Sequence, residues 1–140
     1  INQKKAIGVE FKLGFNDFWQ LSLTSKLPLG LVTSSSAEAT TLSFGPYPGY
    51  LDKFGVQVTG DRVTRPKPDP EGYQAACQAL NVTPEKALVF EDSSAGITAA
   101  LAAGCKVAAI PDYLPIDSAL LARCEYVFDS FLDAVAYFKP

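Results

Sequence analysis

At 140 residues, 48% of them hydrophobic, the chain is long enough for a single domain, 1–140, with a sizeable core. A net charge of −3 and a pI near 4.8 exclude a general nucleic-acid binder. The absence of histidine excludes Ser-His-Asp, Cys-His and histidine–metal chemistry.

No apolar run reaches the roughly 18 residues of a membrane span. Ile1-Asn2-Gln3-Lys4-Lys5 does not lead into the apolar segment of a signal peptide. The three cysteines, Cys77, Cys105 and Cys124, show neither CxxC nor zinc spacing and are expected as buried thiols in a reducing, cytoplasmic compartment. A chain that starts at Ile1 and lacks methionine reads as a piece of a longer protein.

In chain order, Ile7–Leu13 reads as a strand and Phe15–Lys26 as a helix. The apolar run Leu29–Thr33 reads as a strand that passes into a helix near Ser36–Phe44. Pro46-Tyr47-Pro48-Gly49-Tyr50 is turn-rich. Val56–Thr59 is a second clear strand. The spacing of Tyr73, Ala76, Cys77 and Leu80 predicts a helix over Pro70–Leu80, with Asp69 as N-cap and Pro70 at the first helical position. Ala87–Glu91 is the next strand, followed by a helix from about Ser94 to Ala103 that stops at Gly104. Lys106–Ile110 and Tyr126–Phe128 complete the strands, with short helices at Asp117–Arg123 and Phe131–Phe138. Strands that are mostly continuous apolar runs, alternating with helices, predict an α/β fold: one open, doubly wound parallel sheet covered on both faces.

Ligands of such folds sit at the carboxyl ends of the strands. Three signals fall on that edge. Thr33 and Ser34 stand where a strand enters a helix, so a hydroxyl and free N–H groups could cradle a phosphate or simply cap the helix. Lys67, between two prolines, could neutralise a phosphate and a carboxylate, or be an ordinary surface charge. Glu91 and Asp92 end an apolar strand side by side. They repel unless a cation or lysine compensates them, and hard oxygen donors of this kind suit Mg²⁺, although loop charges or caps are the plainer reading. Ser93 or Ser94 would cap the next helix, where Ala95 and Gly96 allow close packing. Together a hydroxyl, an ammonium and a carboxylate pair suit a metal-assisted phosphoryl site.

The ordered motifs Val32-Thr33-Ser34-Ser35-Ser36, Arg65-Pro66-Lys67-Pro68-Asp69-Pro70 and Val89-Phe90-Glu91-Asp92-Ser93-Ser94-Ala95-Gly96-Ile97 resemble the haloacid dehalogenase-like (HAD) hydrolase superfamily. The resemblance covers about residues 15–112. It is closest to the branch that includes β-phosphoglucomutase and phosphoglycolate phosphatase. It implies a Rossmann-like HAD core and a Mg²⁺-dependent phosphoric monoester hydrolase acting on a small phosphorylated metabolite through an aspartyl-phosphate. Thr33 would bind the transferred phosphoryl group with Ser34, Lys67 would hold nucleophile and phosphate together, and Glu91 and Asp92 would carry Mg²⁺ directly or through water.

Two departures stand out. The family's nucleophile and acid/base residue lie in a DxD motif upstream of the hydroxyl motif, and no DxD precedes Thr33 here. Glu10 and Asp17 are the nearest acids, and lysine at position 12 cannot replace the second aspartate. The helical cap between those motifs is also absent, and the 67 − 33 = 34 residues from Thr33 to Lys67 leave no room for one at the alternative point. The core is therefore expected to be incomplete at its N-terminus and the chain alone inactive; unless Ile7–Leu13 fills the central slot of the sheet, its exposed strand edges need the missing segment, an oligomeric partner or strand exchange. Two other readings stay open: a phosphomutase of the same branch, and a non-catalytic binding module presenting Tyr47, Tyr50 and Tyr73. A Rossmann nucleotide binder is disfavoured by the lack of GxGxxG after a strand.

Overall fold

The computed structural model describes residues 14–111 and 114–139. Their elements run α1 (Phe15–Thr24), β1 (Gly30–Val32), α2 (Ala37–Ser43), β2 (Val56–Val58), α3 (Glu71–Leu80), β3 (Leu88–Glu91), α4 (Ser94–Ala102), β4 (Lys106–Ala109), α5 (Ser118–Leu121), β5 (Tyr126–Val127) and α6 (Phe131–Phe138). Short 3₁₀ turns at Leu51–Lys53, Gly60–Arg62 and Pro84–Lys86 lead into or out of the strands. The predicted strand at Ile7–Leu13, with Glu10, lies outside the described residues.

The strands are parallel, as their apolar character requires. β1 pairs with β2 from Gly30 opposite Val56 to Val32 opposite Val58. β3 pairs with β4 from Leu88 opposite Lys106 to Glu91 opposite Ala109, and β4 with β5 through Ala108 opposite Tyr126. One continuous sheet was expected. Among the described residues the ladders instead form two sheets, β1-β2 and β3-β4-β5. Burial follows from this division. Only β4, between two neighbours, is buried from Val107 through Ala109, whereas β1 is exposed at Gly30 and half-buried beyond it.

Alternation along β4 builds the two sides of the larger sheet. Val107 and Ala109 face a cluster with Tyr73 and Cys77 of α3 and Ile97, Ala99 and Ala100 of α4. Ala108 and Ile110 face Phe128 and Ala134, with Phe131 and Phe138 of α6 beside them. α1 packs on α6, and its Phe18 ring lies 4.5 Å from Phe90. Ile97 and Val107 are fully buried, and burial of each side chain is worth about 1.5–3 kcal/mol. Helices thus cover both faces of the sheet, the doubly wound arrangement expected.

Cys77 and Cys105 are buried with their sulfurs 3.8 Å apart, and burial pushes the Cys105 thiol up to about 12. Cys124 is half-buried and free. Among the described residues no helix is long and apolar enough to cross a membrane.

Helix ends obey their caps. Ser36 accepts from the Ala39 N–H and Ser93 from the Gly96 N–H, so the cap of α4 is Ser93 and not Ser94. α3 begins one residue later than predicted: Pro70 is the N-cap and offers no side-chain bond, while Asp69 Oδ1 accepts from the Glu71 N–H at 2.9 Å. α4 ends just before Gly104, whose φ of 93° is cheap only for glycine. α1 and α5 are shorter than predicted. Lys26 takes a positive φ of 61°, which stops any continuation of α1.

Candidate active site

β1 and β3 deliver their carboxyl ends to one edge, and the loop after β2 crosses that edge. Along β3, Val89 points to the α3–α4 side and Phe90 to the α6 side. Glu91, two residues beyond Val89, therefore returns to the α3 side, where Tyr73 and Lys67 meet it. Lys67 Nζ donates to Glu91 Oε2 at 2.6 Å and to the Val32 carbonyl at 3.3 Å. Tyr73 Oη donates to that same Oε2. The Lys67 ammonium also sits 5.2 Å from the centroid of the Tyr73 ring.

Glu91 is 8% exposed, a depth at which a lone carboxylate is costly, and the ammonium supplies the compensating charge. Its other oxygen, Oε1, faces the Asp92 N–H at 3.3 Å and the backbone of Gly96. A Cβ at Gly96 would stand 2.0 Å from Oε1, so the carboxylate fits only because α4 carries glycine there. Burial and the neighbouring Glu91 charge push the Tyr73 phenol well above its ordinary range, and it stays a donor.

The hydroxyl loop lies across from Lys67. The Thr33 N–H donates to the Val58 carbonyl at 3.0 Å, extending the β1–β2 pairing by one bond, and Thr33 Oγ1 accepts from the Ser35 N–H at 3.1 Å. Ser34 is exposed. Thr33, Ser34, Val58, Gly60 and Lys67 line a cavity of about 20 Å³, room for little more than a water molecule. Of the residues predicted for the site, Thr33, Ser34, Lys67 and Glu91 come together around this edge. Asp92 follows Glu91 at the mouth of α4 and is half-buried.

Two residues that sequence reasoning passed over hold the loops in place. Asp61 accepts from the Ala37 N–H at 3.2 Å and from Thr59 Oγ1 at 2.5 Å. It thereby caps α2 from a loop 24 residues away, while the Gly60 N–H donates to the Ser35 carbonyl at 2.7 Å. Glu71, in the first turn of α3, accepts from the Thr64 N–H at 2.8 Å and the Arg65 N–H at 2.9 Å, anchoring the loop that bears Lys67. Hydrogen bonding lowers the pKa of both carboxylates, that of Asp61 chiefly through Thr59 and that of Glu71 through the Thr64 and Arg65 amides. Sequence offered one signal for Glu71, an acid in the first turn of a predicted helix, and none for Asp61.

For a divalent cation, Glu91 and Asp92 are donors of the right kind: hard, anionic and adjacent. They are short in number. Among the described residues, no group of three or more His, Cys, Asp or Glu side chains gathers where it could hold a metal ion. Further ligands would have to come from water, a bound phosphate or carboxylates elsewhere.

Aromatic residues offered by the binding-module reading are placed differently from that expectation. Tyr73 is 6% exposed and spends its hydroxyl on Glu91. Tyr50 is half-buried and stacks on Trp19, centroids 4.7 Å apart with planes at 12°, and Tyr47 lies 5.1 Å from Tyr50. Tyr73 is therefore not a surface ring, while Tyr47 and Tyr50 are half-buried.

Known proteins resemble this chain in sequence and in fold. The family model for haloacid dehalogenase-like hydrolases matches residues 19–110. Validoxylamine A 7'-phosphate phosphatase of Streptomyces hygroscopicus subsp. limoneus is 50% identical over 84 residues, 56% of this chain and 37% of that protein. Hexitol phosphatase A of Escherichia coli is 40% identical over 75 residues, 54% of this chain and 34% of the relative. The chain therefore spans well under half the length of these curated relatives. Among solved structures, CbbY of Rhodobacter sphaeroides in complex with phosphate superposes with a TM-score of 0.74 at 30% identity, over 86% of this chain and 54% of that one. β-Phosphoglucomutase of Clostridium difficile gives 0.68 at 25% identity, over 85% and 50%. With the motif residues gathered at one strand edge and the family model matching most of its length, the chain belongs to the haloacid dehalogenase-like hydrolases.

Proposed function

We propose that this chain is the phosphate-holding part of a Mg²⁺-dependent phosphatase of small phosphorylated metabolites, sugar or polyol phosphates among them. One observation carries the reading. Lys67 reaches from the loop after β2 to the ends of both β1 and β3, which places a single ammonium between a hydroxyl loop and an acidic pair.

Each residue then has a task. The Thr33 and Ser34 hydroxyls and the amides of their loop donate to phosphate oxygens. Lys67 offsets the negative charge that a phosphate brings beside Glu91. Glu91 and Asp92 would hold Mg²⁺, which would supply positive charge to offset the negative charge of the phosphate. Among the described residues, no carboxylate that would accept the phosphoryl group as an aspartyl-phosphate is gathered at this edge, and no DxD stands in the sequence. The relatives support the substrate class, since their names specify validoxylamine A 7'-phosphate and hexitol phosphates. Free Cys77, Cys105 and Cys124 suit a reducing, cytoplasmic setting.

The test has two arms. Hydrolysis of p-nitrophenyl phosphate is measured with and without Mg²⁺, and binding of inorganic phosphate is measured on the same preparation, each with Lys67→Ala beside it. Phosphate binding that the substitution weakens, without turnover, is the expected result. Turnover lost in Lys67→Ala would place a working nucleophile within these 140 residues. Binding that is absent, or indifferent to Lys67, would overturn the reading in favour of a core that has ceased to handle phosphate.

A further inference from the structure

Tyr73 has three relations to the site that a core tyrosine does not need. Its hydroxyl donates to Glu91 Oε2, the oxygen that also receives the Lys67 ammonium. Its ring lies beneath that ammonium, 5.2 Å from Nζ to the centroid. It also stands on α3, whose start Glu71 ties to the Lys67 loop. A tyrosine that only filled the α3–α4 core could be replaced by phenylalanine at no cost to the site, because both present the same ring.

We propose that Tyr73 is a positioning residue: its hydroxyl holds Glu91 Oε2 in place, and Glu91 in turn fixes the Lys67 ammonium across from Thr33 and Ser34. The geometry favours this over simple satisfaction of a buried phenol. Glu91 Oε1 is closed in by Gly96 and the Asp92 amide, and of the two donors on Oε2 only Tyr73 is held by a rigid ring in the core. Without the phenol, Oε2 keeps one partner on a flexible four-carbon stem, and Lys67 can turn away from Glu91, holding only the Val32 carbonyl, or out to solvent. The functional meaning of the position rests on the phosphate-holding reading. The positioning itself does not.

Reductive methylation with formaldehyde and borohydride reads Lys67 directly in the full chain, with Lys26, Lys53, Lys86 and Lys106 as internal controls in the same digest. Tyr73→Phe should raise the rate at Lys67 about fivefold, the factor set by one hydrogen bond of ordinary net strength, and leave the controls unchanged. Glu91→Gln should raise it as well. An unchanged Lys67 rate in Tyr73→Phe overturns the proposal, since loss of the hydroxyl would then have moved nothing. If that variant fails to fold, proton NMR of the unaltered protein decides. A slowly exchanging Tyr73 hydroxyl proton with a cross-peak to the Glu91 γ protons upholds the proposal, and its absence overturns it.

Inorganic phosphate binding separates the two ideas. If Lys67 handles phosphate, Tyr73→Phe weakens binding in the native background and adds nothing to Lys67→Ala. A methylation rate that moves while phosphate binding ignores Lys67 would leave the positioning intact and remove the phosphatase reading.

Discussion

At the scale of single residues, the site depends on a side chain that is missing. Gly96 leaves the space that the Glu91 carboxylate fills, and a Cβ added there would stand only 2.0 Å from Oε1 and 2.1 Å from Cδ. Alanine inside a helix ordinarily gains up to about 1 kcal/mol over glycine. Here that gain is opposed by displacement of a buried carboxylate from Lys67 and Tyr73, and loss of a buried pair costs about 3–5 kcal/mol when complete. Gly96→Ala is therefore predicted to destabilise the chain by about 1–3 kcal/mol in urea titration, the balance of the two effects with some relaxation of Glu91. A variant as stable as the parent would show that Glu91 has another place to go. This dependence was only half legible beforehand. Ala95-Gly96 reads in sequence as a point of close packing, but nothing in the order of residues says that what packs there is the preceding acid.

Among elements, the loops carrying Thr33 and Lys67 are held by acids that belong to no motif. Asp61 and Glu71 have pKa values below their ordinary 3.8 and 4.5 because backbone and side-chain donors favour the charged form. A depressed carboxylate binds fewer protons folded than unfolded, so its contribution is present above the ordinary value and lost as pH falls through the folded one. Urea midpoints should thus fall below about pH 4.5 in the native chain, and the fall should be shallower in Asp61→Asn with Glu71→Gln. Parallel curves for the two proteins would refute the assignment. What sequence showed at this scale was the alternation of strands and helices, because apolar runs and caps such as Ser36 and Ser93 act locally. It could not show the clamps. Asp61 reaches an amide 24 residues away, and Glu71 bonds the backbone of an irregular loop. Tyr73 was visible only as a core position of a helix, since its partner Glu91 stands 18 residues further on.

At the scale of the whole molecule, the division of the strands among the described residues bears on how it opens. β1 and β2 form a two-stranded ladder of three residues each, and such pairs are marginal without further support. β4 has a partner on each side and is buried. Amide hydrogen exchange should therefore release the Gly55 and Thr33 N–H groups, which bond Leu29 and Val58, at least about tenfold sooner than those of Ile110 and Phe128, which bond Glu91 and Ala109. Equal protection would mean that the two ladders open as one unit. Lys67 gives this division its chemical consequence. Its partners belong to separate ladders, the Val32 carbonyl to one and the Glu91 carboxylate to the other. One ammonium thus acts as a coincidence detector: it finds both partners only when the two ladders stand in register. A mutation remote from the loop that loosens either ladder would disarm the site without touching it.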